Sequence, residues 1–250
     1  MEKVLKDRVA LIVGASRGIG EATARLFAAE GAKVVLSARG EKALKEICES
    51  IEAAGGEAVY RTADAEDLTS LAPLAETALS VFGRIDILVY CSGIALREPT
   101  LEMDVEKWER VMRVNLTAAM EMSRICLRQF LKQGGGKIVY VSSTAGKYIN
   151  MGASPSYGAS KAGMIYLTRH LATEFAKDNI RVNAVCPGPV ETEIVKTWTK
   201  EHRAKVDANL PTGRMSYPED IANAILFLAS PMADQINGES LMVNGGRYMD

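Results

Sequence analysis

Short apolar runs alternate with longer amphipathic stretches along the chain. The runs are rich in β-branched residues, which is typical of strands buried on both faces of a parallel sheet. They predict strands at Val9–Val13, Lys33–Ser37, Ala58–Thr62, Ile87–Cys91, Lys137–Ser142, Arg181–Cys186 and Leu241–Asn244. The stretches between them have helical periodicity and predict helices at Ile19–Glu30, Glu41–Ala54, Leu68–Phe82, Val105–Leu131, Tyr157–Lys177 and Pro218–Ala229. This alternation predicts an α/β fold, one doubly wound seven-stranded parallel sheet flanked by helices.

Two segments bear on whether the chain is divided into more than one domain. Gly134-Gly135-Gly136 lies between a predicted helix and a predicted strand, so we interpret it as a helix stop and turn rather than a linker. Residues 191–216 form the longest stretch without a strand and carry several lysines and arginines around Trp198. We therefore expect a single domain over residues 1–250, with a substrate-covering segment at about 189–216 over the carboxyl edge of the sheet.

Composition excludes several classes of function. The 30 basic and 31 acidic residues nearly cancel, so we expect neither a nucleic-acid partner nor a membrane partner. Four scattered cysteines and two histidines have no metal-ligand spacing, so we expect no metal site and no disulfide framework. The charged amino terminus and the short apolar runs predict neither a signal peptide nor a membrane span, which makes the cytoplasm the expected location.

A glycine-rich turn follows the first predicted strand and leads into a helix. Its sequence is Gly14-Ala15-Ser16-Arg17-Gly18-Ile19-Gly20. Glycines allow a tight turn and a close approach to a pyrophosphate, and the helix amino terminus offers free N–H groups to that anion. Such turns also occur for purely structural reasons, so the motif alone only favours dinucleotide binding.

The end of the second predicted strand bears on the choice between NADP(H) and NAD(H). An NAD site usually has an acidic residue here for the ribose hydroxyls, but the strand ends in Arg39 and the first carboxylate is Glu41. A guanidinium suits a ribose 2′-phosphate, and Arg17 could be a second partner. We therefore expect NADP(H), with NAD(H) as the alternative. Asp64-Ala65 and Ser92-Gly93 follow the third and fourth strands and are candidates for contacts to adenine and ribose.

Tyr157 and Lys161 are four residues apart, which places a phenol and an ammonium on one face of a predicted helix. Lowering a tyrosine pKa from ~10 to ~7 takes roughly 4 kcal/mol. One cation about 4 Å away supplies about that much at an effective dielectric constant of ~20. The pair could therefore exchange protons near neutral pH, although this spacing also arises often by chance.

Several motifs together resemble the short-chain dehydrogenase/reductase family in its single-domain form, from Asp7 to Gly246. They are Gly14 to Gly20, Asp64, Asn115, Ser143, Tyr157-x-x-x-Lys161 and Pro187-Gly188-x-Val190-x-Thr192. The resemblance implies a Rossmann-type fold and an oxidoreductase that interconverts a carbonyl and a secondary alcohol. Among family members, the sequence looks most like 3-oxoacyl-acyl-carrier-protein reductases.

The resemblance also implies roles for individual residues. Tyr157 would be the general acid in reduction and the general base in oxidation, while Ser143 would hydrogen-bond the same substrate oxygen. Lys161 would lower the tyrosine pKa and hold the nicotinamide ribose, and Asn115 would support a water that links Lys161 to solvent. In the segment that begins at Pro187 and Gly188, Val190 and Thr192 would bind the nicotinamide carboxamide.

The substrate stays open at this point. A 3-oxoacyl thioester is one candidate, but Gly134 and Asp178 stand where such reductases have basic residues for an acyl carrier protein. A sugar, polyol, hydroxy acid or small ketone is the alternative, and a dinucleotide-binding sensor without turnover is an alternative of another class. The family further implies a homotetramer. One departure from its usual pattern is Asn244, which replaces a common aspartate.

Overall fold

The computed structural model describes residues 3–150, 152–196 and 198–249. Within these ranges one sheet contains seven parallel strands in the order β3-β2-β1-β4-β5-β6-β7. The strands are β1 Val9–Val13, β2 Lys33–Ala38, β3 Glu57–Thr62, β4 Ile87–Tyr90, β5 Gly136–Val141, β6 Ile180–Pro187 and β7 Ser240–Val243. The predicted doubly wound, seven-stranded parallel sheet is thus confirmed, with strand ends shifted by one residue at most places.

The central strands are apolar because helices cover both faces of the sheet. All five side chains of β1 are buried, as are the four of β4. The strand order reverses between these two neighbours, and their carboxyl ends lie side by side, since Val13 pairs with Tyr90. Ligands of doubly wound sheets bind at such a reversal, beyond the carboxyl ends of the strands.

Nine α-helices lie in the described part of the chain. They are α1 Gly18–Ala29, α2 Glu41–Ala53, α3 Ala72–Phe82, α4 Val105–Met112, α5 Ala118–Gln133, α6 Pro155–Glu174, α7 Glu193–Lys196, α8 Lys200–Ala208 and α9 Pro218–Ala229. Buried residues of α1, α2 and α9 form the core on one face of the sheet. Those of α3, α5 and α6 form the core on the other face.

Two predicted helices are broken in the structure. The stretch Val105–Leu131 contains a wider π-helical turn at Arg113–Thr117, which separates α4 from α5. The stretch Leu68–Phe82 begins as a 3₁₀ turn, and α3 starts only at Ala72, because Pro73 lacks an N–H and fits only the first turn of a helix. The predicted stop after α5 is confirmed, since Gly134 ends that helix with φ of 82°.

Ion pairs close the amino edge of the sheet. Buried Asp86, just before β4, accepts hydrogen bonds from both Arg8 and Arg84 and from the main-chain N–H of Val9. Lys137, in β5, pairs with Asp234 at 2.6 Å. These contacts neutralise the charges where the strands begin.

The segment predicted to cover the substrate, residues 189–216, carries the two short helices α7 and α8. Val190 and Ser216 form a single parallel bridge at its base. Val195, Leu210 and Met215 are buried in a small apolar cluster of their own. Among the described residues, no helix is long and apolar enough to cross a bilayer.

Candidate functional site

The glycine-rich turn lines a cleft at the carboxyl ends of β1, β2 and β4, which we call the glycine-loop cleft. Gly14 has φ of 88°, and a Cβ there would lie 2.6 Å from the main-chain nitrogen of Ser92. Gly20 packs even closer, since a Cβ on it would lie only 2.1 Å from the carbonyl oxygen of Gly14. Only glycine therefore allows this loop to fold tightly against both its own backbone and the end of β4.

Helix α1 begins at Gly18 without any side-chain cap, so its first N–H groups face the glycine-loop cleft unpaired by a side chain. Such a helix end favours an anion. Arg17 and Arg39 also line this cleft, and neither makes an ion pair with a described residue. The donors and cations here suit phosphate groups, which is the chemistry that a dinucleotide would bring.

The remaining residues predicted to bind a cofactor at this end also line the glycine-loop cleft. They are Ser16, Ile19, Asp64, Ala65, Ser92 and Gly93, together with Gly14, Gly18 and Gly20. One carboxylate oxygen of Asp64 accepts a hydrogen bond from the N–H of Glu66, which fixes the turn after β3. Glu66 lines the cleft too, although the sequence did not indicate it, and its carboxylate pairs with Arg110.

A second cleft adjoins the first, and we call it the tyrosine cleft. Ser143, Tyr157 and Lys161 line it together with Pro187, Gly188, Val190 and Thr192. Ile19, Gly93 and Thr192 line both clefts, so the two form one continuous groove along the sheet edge. All the predicted site residues except Asn115 border this groove.

Local structure sets the position of the tyrosine. Ser154 caps α6 by accepting a hydrogen bond from the N–H of Tyr157, and Pro155 fits the first turn, where its missing N–H costs nothing. Tyr157 therefore lies in the first helical turn, opposite the loop after β5. The side chain of Ser143 is close enough to this phenol to favour its deprotonated form. Ser143 itself begins a 3₁₀ turn, with its hydroxyl accepting from the N–H of Ala145.

Lys161 is a buried cation, with 3% of its surface exposed. Its ammonium donates to the carbonyl oxygen of Val141 at 2.8 Å and lies 5.8 Å from the ring centroid of Tyr157. Burial lowers the pKa of Lys161 to about 8, because loss of water disfavours the charged form. Ser142, which the sequence did not assign, donates to the carbonyl oxygen of Lys161 and ties α6 to the end of β5.

The predicted lowering of the Tyr157 pKa is not what this geometry produces. Burial raises the pKa of Tyr157 above its ordinary value, and the nearby side chain of Ser143 offsets only part of that shift. The ammonium of Lys161 lies 5.8 Å from the centre of the tyrosine ring and donates to the main chain, and Lys161 is not among the groups that shift the pKa of Tyr157. Tyr157 is consequently a protonated phenol at neutral pH.

Asn115 lies in the π-helical turn and is fully buried. Its side-chain oxygen accepts from the N–H of Ile94, while its amide donates to the carbonyl oxygen of Ile94 and to the hydroxyl of Ser160. It lies behind Gly93, where a Cβ would be 3.4 Å from the Asn115 oxygen and 3.5 Å from the Lys161 nitrogen. Asn115 thus joins the loop after β4 to helix α6, next to Lys161.

Two further residues of the groove had no signal in their local sequence. Arg247 and Tyr248, near the carboxyl terminus, return to line the tyrosine cleft.

Cys91 lines both clefts, and burial raises the pKa of its thiol to about 12. The thiol is therefore protonated at neutral pH, and we assign it packing rather than nucleophilic chemistry. Among the described residues, no cluster of histidine, cysteine or carboxylate side chains could hold a metal ion.

Comparisons with known proteins agree with this geometry. A family model described as enoyl-(acyl carrier protein) reductase matches residues 14–247. The chain is 39% identical over 245 residues to the 3-oxoacyl-(acyl-carrier-protein) reductase FabG of Vibrio cholerae, covering 98% of this chain and 99% of the relative. It is 40% identical over 247 residues to the cis-4-hydroxycyclohexanecarboxylate dehydrogenase of Sinomonas cyclohexanicum, covering 98% of each.

Among solved structures, a 7α-hydroxysteroid dehydrogenase complexed with NADH and 7-oxoglycochenodeoxycholic acid superposes with a TM-score of 0.94. The two sequences are 34% identical, and the superposition covers 98% of this chain and 96% of the dehydrogenase chain. The chain belongs to the short-chain dehydrogenase/reductase family and is an oxidoreductase of CH–OH and carbonyl groups. The comparisons support a nicotinamide dinucleotide as its cofactor.

Proposed function

We propose that this protein is an NADP(H)-dependent reductase and dehydrogenase that interconverts a carbonyl compound and a secondary alcohol, with Tyr157 as general acid and base. One observation carries the proposal: Tyr157, Ser143 and Lys161 line one cleft, which is continuous with the cleft of the glycine-rich loop. When bound, the nicotinamide supplies or accepts the hydride.

In the reducing direction, the Tyr157 hydroxyl donates a proton to the substrate oxygen. At neutral pH the phenol carries the proton that this step transfers. Ser143 donates a hydrogen bond to the same oxygen and stabilises the negative charge that develops there. In oxidation the same two groups act in reverse, with Tyr157 receiving the proton of the alcohol.

Lys161 and Asn115 support this pair. The Lys161 ammonium, which lines the same cleft as Tyr157, would hold the ribose hydroxyls of the nicotinamide. Asn115 holds the Ile94 main chain and Ser160 in place, which fixes the wall of the groove next to Lys161. A water held by Asn115 that links Lys161 to solvent stays a prediction of the family resemblance.

NADP(H) is favoured over NAD(H) by the charge of the glycine-loop cleft. Arg17 and Arg39 are both exposed side chains that line it without a carboxylate partner among the described residues. Glu66 is already neutralised by Arg110, and Asp64 is engaged in its own turn. The two guanidiniums are thus free to bind a ribose 2′-phosphate.

We also propose roles for the segment after β6 and a state of assembly for the protein. Thr192 approaches the glycine loop, since a Cβ on Gly18 would lie 3.3 Å from its methyl group, and with Val190 it would hold the nicotinamide carboxamide. Residues 189–216 would cover the substrate, because Val195, Trp198 and Val206 line the tyrosine cleft. A homotetramer fits the exposed apolar side chains Trp108, Met120 and Tyr166 on α4, α5 and α6.

The relatives favour two substrate classes. The FabG proteins are named for 3-oxoacyl groups carried on acyl carrier protein. The relatives from Sinomonas and the steroid complex are named for ring alcohols or ketones that also bear a carboxylic acid. A small-molecule carbonyl or alcohol is therefore proposed as the substrate, with the thioester and the hydroxy acid as the candidates.

The Tyr157→Phe variant tests the catalytic assignment. Removing the phenol hydroxyl takes away the proton donor, so kcat should fall by roughly 10²–10⁴-fold. Binding of NADPH, followed by its fluorescence, should stay within about threefold, because the ring keeps its packing. Tyr166→Phe, on the exposed side of the same helix, is the matched control and should leave kcat unchanged. Near-normal kcat in Tyr157→Phe would refute the role.

The Arg39→Asp variant tests the cofactor preference. It replaces a phosphate-binding cation by an acid, so the ratio of kcat/KM with NADPH to that with NADH should fall roughly 100-fold, about 3 kcal/mol. Lys45→Asp, an equal charge reversal on exposed helix α2, controls for the general field and should change the ratio by less than about threefold. If the Arg39→Asp ratio stays at the wild-type value, NADP(H) recognition at this position is wrong.

A further inference from the structure

We infer that the substrate carries a carboxylate, which Arg97 and Arg247 bind at the mouth of the tyrosine cleft while Tyr157 and Ser143 hold its carbonyl or hydroxyl group. The inference rests on the proposed function and narrows its substrate to keto acids and hydroxy acids. It starts from the charge of the cleft. Arg97, Lys161 and Arg247 line it, whereas its described lining residues include no aspartate or glutamate.

The two arginines are free to bind a ligand. Neither Arg97 nor Arg247 has an ion-pair partner in the described part of the chain, and both side chains are exposed. Arg203, which is nearby on α8, differs because its guanidinium is paired with Glu191. Lys161 is buried and occupied with the Val141 carbonyl, so it does not serve the mouth of the cleft. The unmatched positive charge is therefore located at the entrance.

Aromatic side chains hold both guanidiniums in place. The guanidinium of Arg97 lies 5.7 Å from the ring centroid of Trp198, and that of Arg247 lies 5.5 Å from the ring centroid of Tyr248. An arginine stacked on an aromatic face keeps its edge N–H groups available, and these match the two oxygens of a carboxylate. Stacking also restricts the side chain before the ligand arrives, which reduces the entropy lost on binding.

The turn that presents Arg247 is itself fixed. Tyr248 stacks on Tyr148 with 4.5 Å between ring centroids. Asn244 accepts from the N–H of Gly246 and donates to the carbonyl oxygen of Tyr248, both at 2.9 Å. The donated bond needs an amide, which an aspartate lacks. The asparagine that departs from the family pattern thus closes the turn without adding an acid next to Arg247.

The lining of the cleft is partly apolar. Leu96, Val190, Val195 and Val206 line it together with Ser143, Tyr157 and the two arginines. A ligand that satisfies all three parts has a carbonyl or hydroxyl at one end, an apolar body and a carboxylate at the other. Phosphate recognition of the dinucleotide does not explain the arginines, because neither of them lines the glycine-loop cleft.

The first experiment compares 4-oxocyclohexanecarboxylate with its uncharged methyl ester as substrates with NADPH. In the wild type, kcat/KM should be at least tenfold higher for the acid. Arg97→Leu and Arg247→Met should each lower kcat/KM for the acid by about 10–50-fold through KM, since one charge-assisted bond is lost, and leave the ester within threefold. Lys205→Met, which removes an exposed charge of α8 outside the cleft, is the matched control and should affect neither probe.

The second experiment measures binding without turnover. The chain has two tryptophans, so a Trp108→Phe background leaves Trp198, beside Arg97, as the sole tryptophan whose fluorescence is followed. Cyclohexanecarboxylate should bind at least tenfold more tightly than cyclohexanecarboxamide, and Arg97→Leu or Arg247→Met should remove the difference. Tyr157→Phe should keep it. This measurement supports or overturns the carboxylate site even where Tyr157 proves not to be catalytic.

Four results would overturn the inference. The first is equal binding of cyclohexanecarboxylate and its amide, and the second is an ester turned over as well as the acid by the wild type. The third is a loss in Lys205→Met as large as in the arginine variants, which would show only a general electrostatic field. The fourth is a higher kcat/KM for a 3-oxoacyl-coenzyme A than for the keto acid, which would favour the thioester class instead.

Discussion

At the amino edge of the sheet, Asp86 pairs with Arg8 and Arg84, and Asp234 pairs with Lys137. At the carboxyl edge, by contrast, Arg17, Arg39, Arg97 and Arg247 have no carboxylate partner among the residues that the structure describes. The pairs at the amino edge keep a buried acid satisfied. The unmatched guanidiniums are exposed and hydrated, so leaving them unpaired costs little stability and keeps their charge available for anionic ligands.

This contrast predicts where a substitution acts. A change at the amino edge should alter the free energy of unfolding and spare the reaction, because that edge is remote from the groove. A change among the carboxyl-edge arginines should alter the recognition of anionic ligands and spare the fold. The contrast between the two edges is wrong if amino-edge substitutions alter the reaction, or if substitutions of the carboxyl-edge arginines alter the free energy of unfolding.

The largest effect on stability is expected from Asp86→Ala. The Asp86 side chain is buried, and its loss leaves the Val9 N–H without its partner and brings two guanidiniums together without an acid. We expect the free energy of unfolding, measured by urea denaturation, to fall by about 3 kcal/mol. Because Arg8 and Arg84 are about half exposed, we expect a smaller fall in the free energy of unfolding than for the loss of a fully buried ion pair. The value of kcat/KM below the unfolding transition should stay within twofold.

Asp234→Ala is the matched control at the same edge. It also removes an acid that pairs with a cation, but its side chain is 62% exposed. Its effect on the free energy of unfolding should therefore stay below about 1 kcal/mol. An Asp86→Ala variant that unfolds like the control, or that loses activity while keeping full stability, would contradict the assignment of this edge to stability.

The fold was predictable because its signals are local. The central strands β1 and β4 are short apolar runs, and helices alternate with the strands along the whole chain. The π-helical turn was not predictable, since it depends on hydrogen bonds between Asn115 and Ile94, 21 residues earlier. Helix periodicity around Asn115 contains no information about that distant main chain.

The sequence also indicated most residues of the candidate site, but not all of their properties. The glycine loop and the motif of Tyr157 and Lys161 identify the two clefts, because each lies directly at the end of a predicted strand or on one helix face. The direction of the Tyr157 pKa was wrong, since spacing gives neither burial nor the point to which Lys161 donates its hydrogen bond. Arg97 and Arg247 line the same cleft because the carboxyl terminus returns to it, which no local pattern reveals.

Lys161 differs from the four exposed arginines at the carboxyl edge, because it is a cation of the same edge that is buried. Its lowered pKa, about 8, means that charging it disfavours the folded state, by about 3 kcal/mol at neutral pH. Lys161→Met should remove that cost but lose the hydrogen bond to Val141, worth about 1 kcal/mol. We therefore expect the nucleotide-free variant to be more stable than the wild type by roughly 2 kcal/mol at pH 7, while its turnover is lost.

The pH dependence separates this charge effect from simple packing. The folded pKa of Lys161 lies below its unfolded value of 10.5, so the cost is fully present below about pH 8 and disappears as the pH rises to 10.5. The stability advantage of Lys161→Met in urea denaturation should accordingly shrink between pH 8 and 10.5. Lys132→Met, an exposed control at the end of α5, should change stability by no more than about 0.5 kcal/mol at either pH. A constant advantage would mean that packing, and not the charge of Lys161, makes the variant more stable. A variant less stable at pH 7 would mean that an ammonium buried at the carboxyl edge is tolerated as easily as the exposed guanidiniums around it.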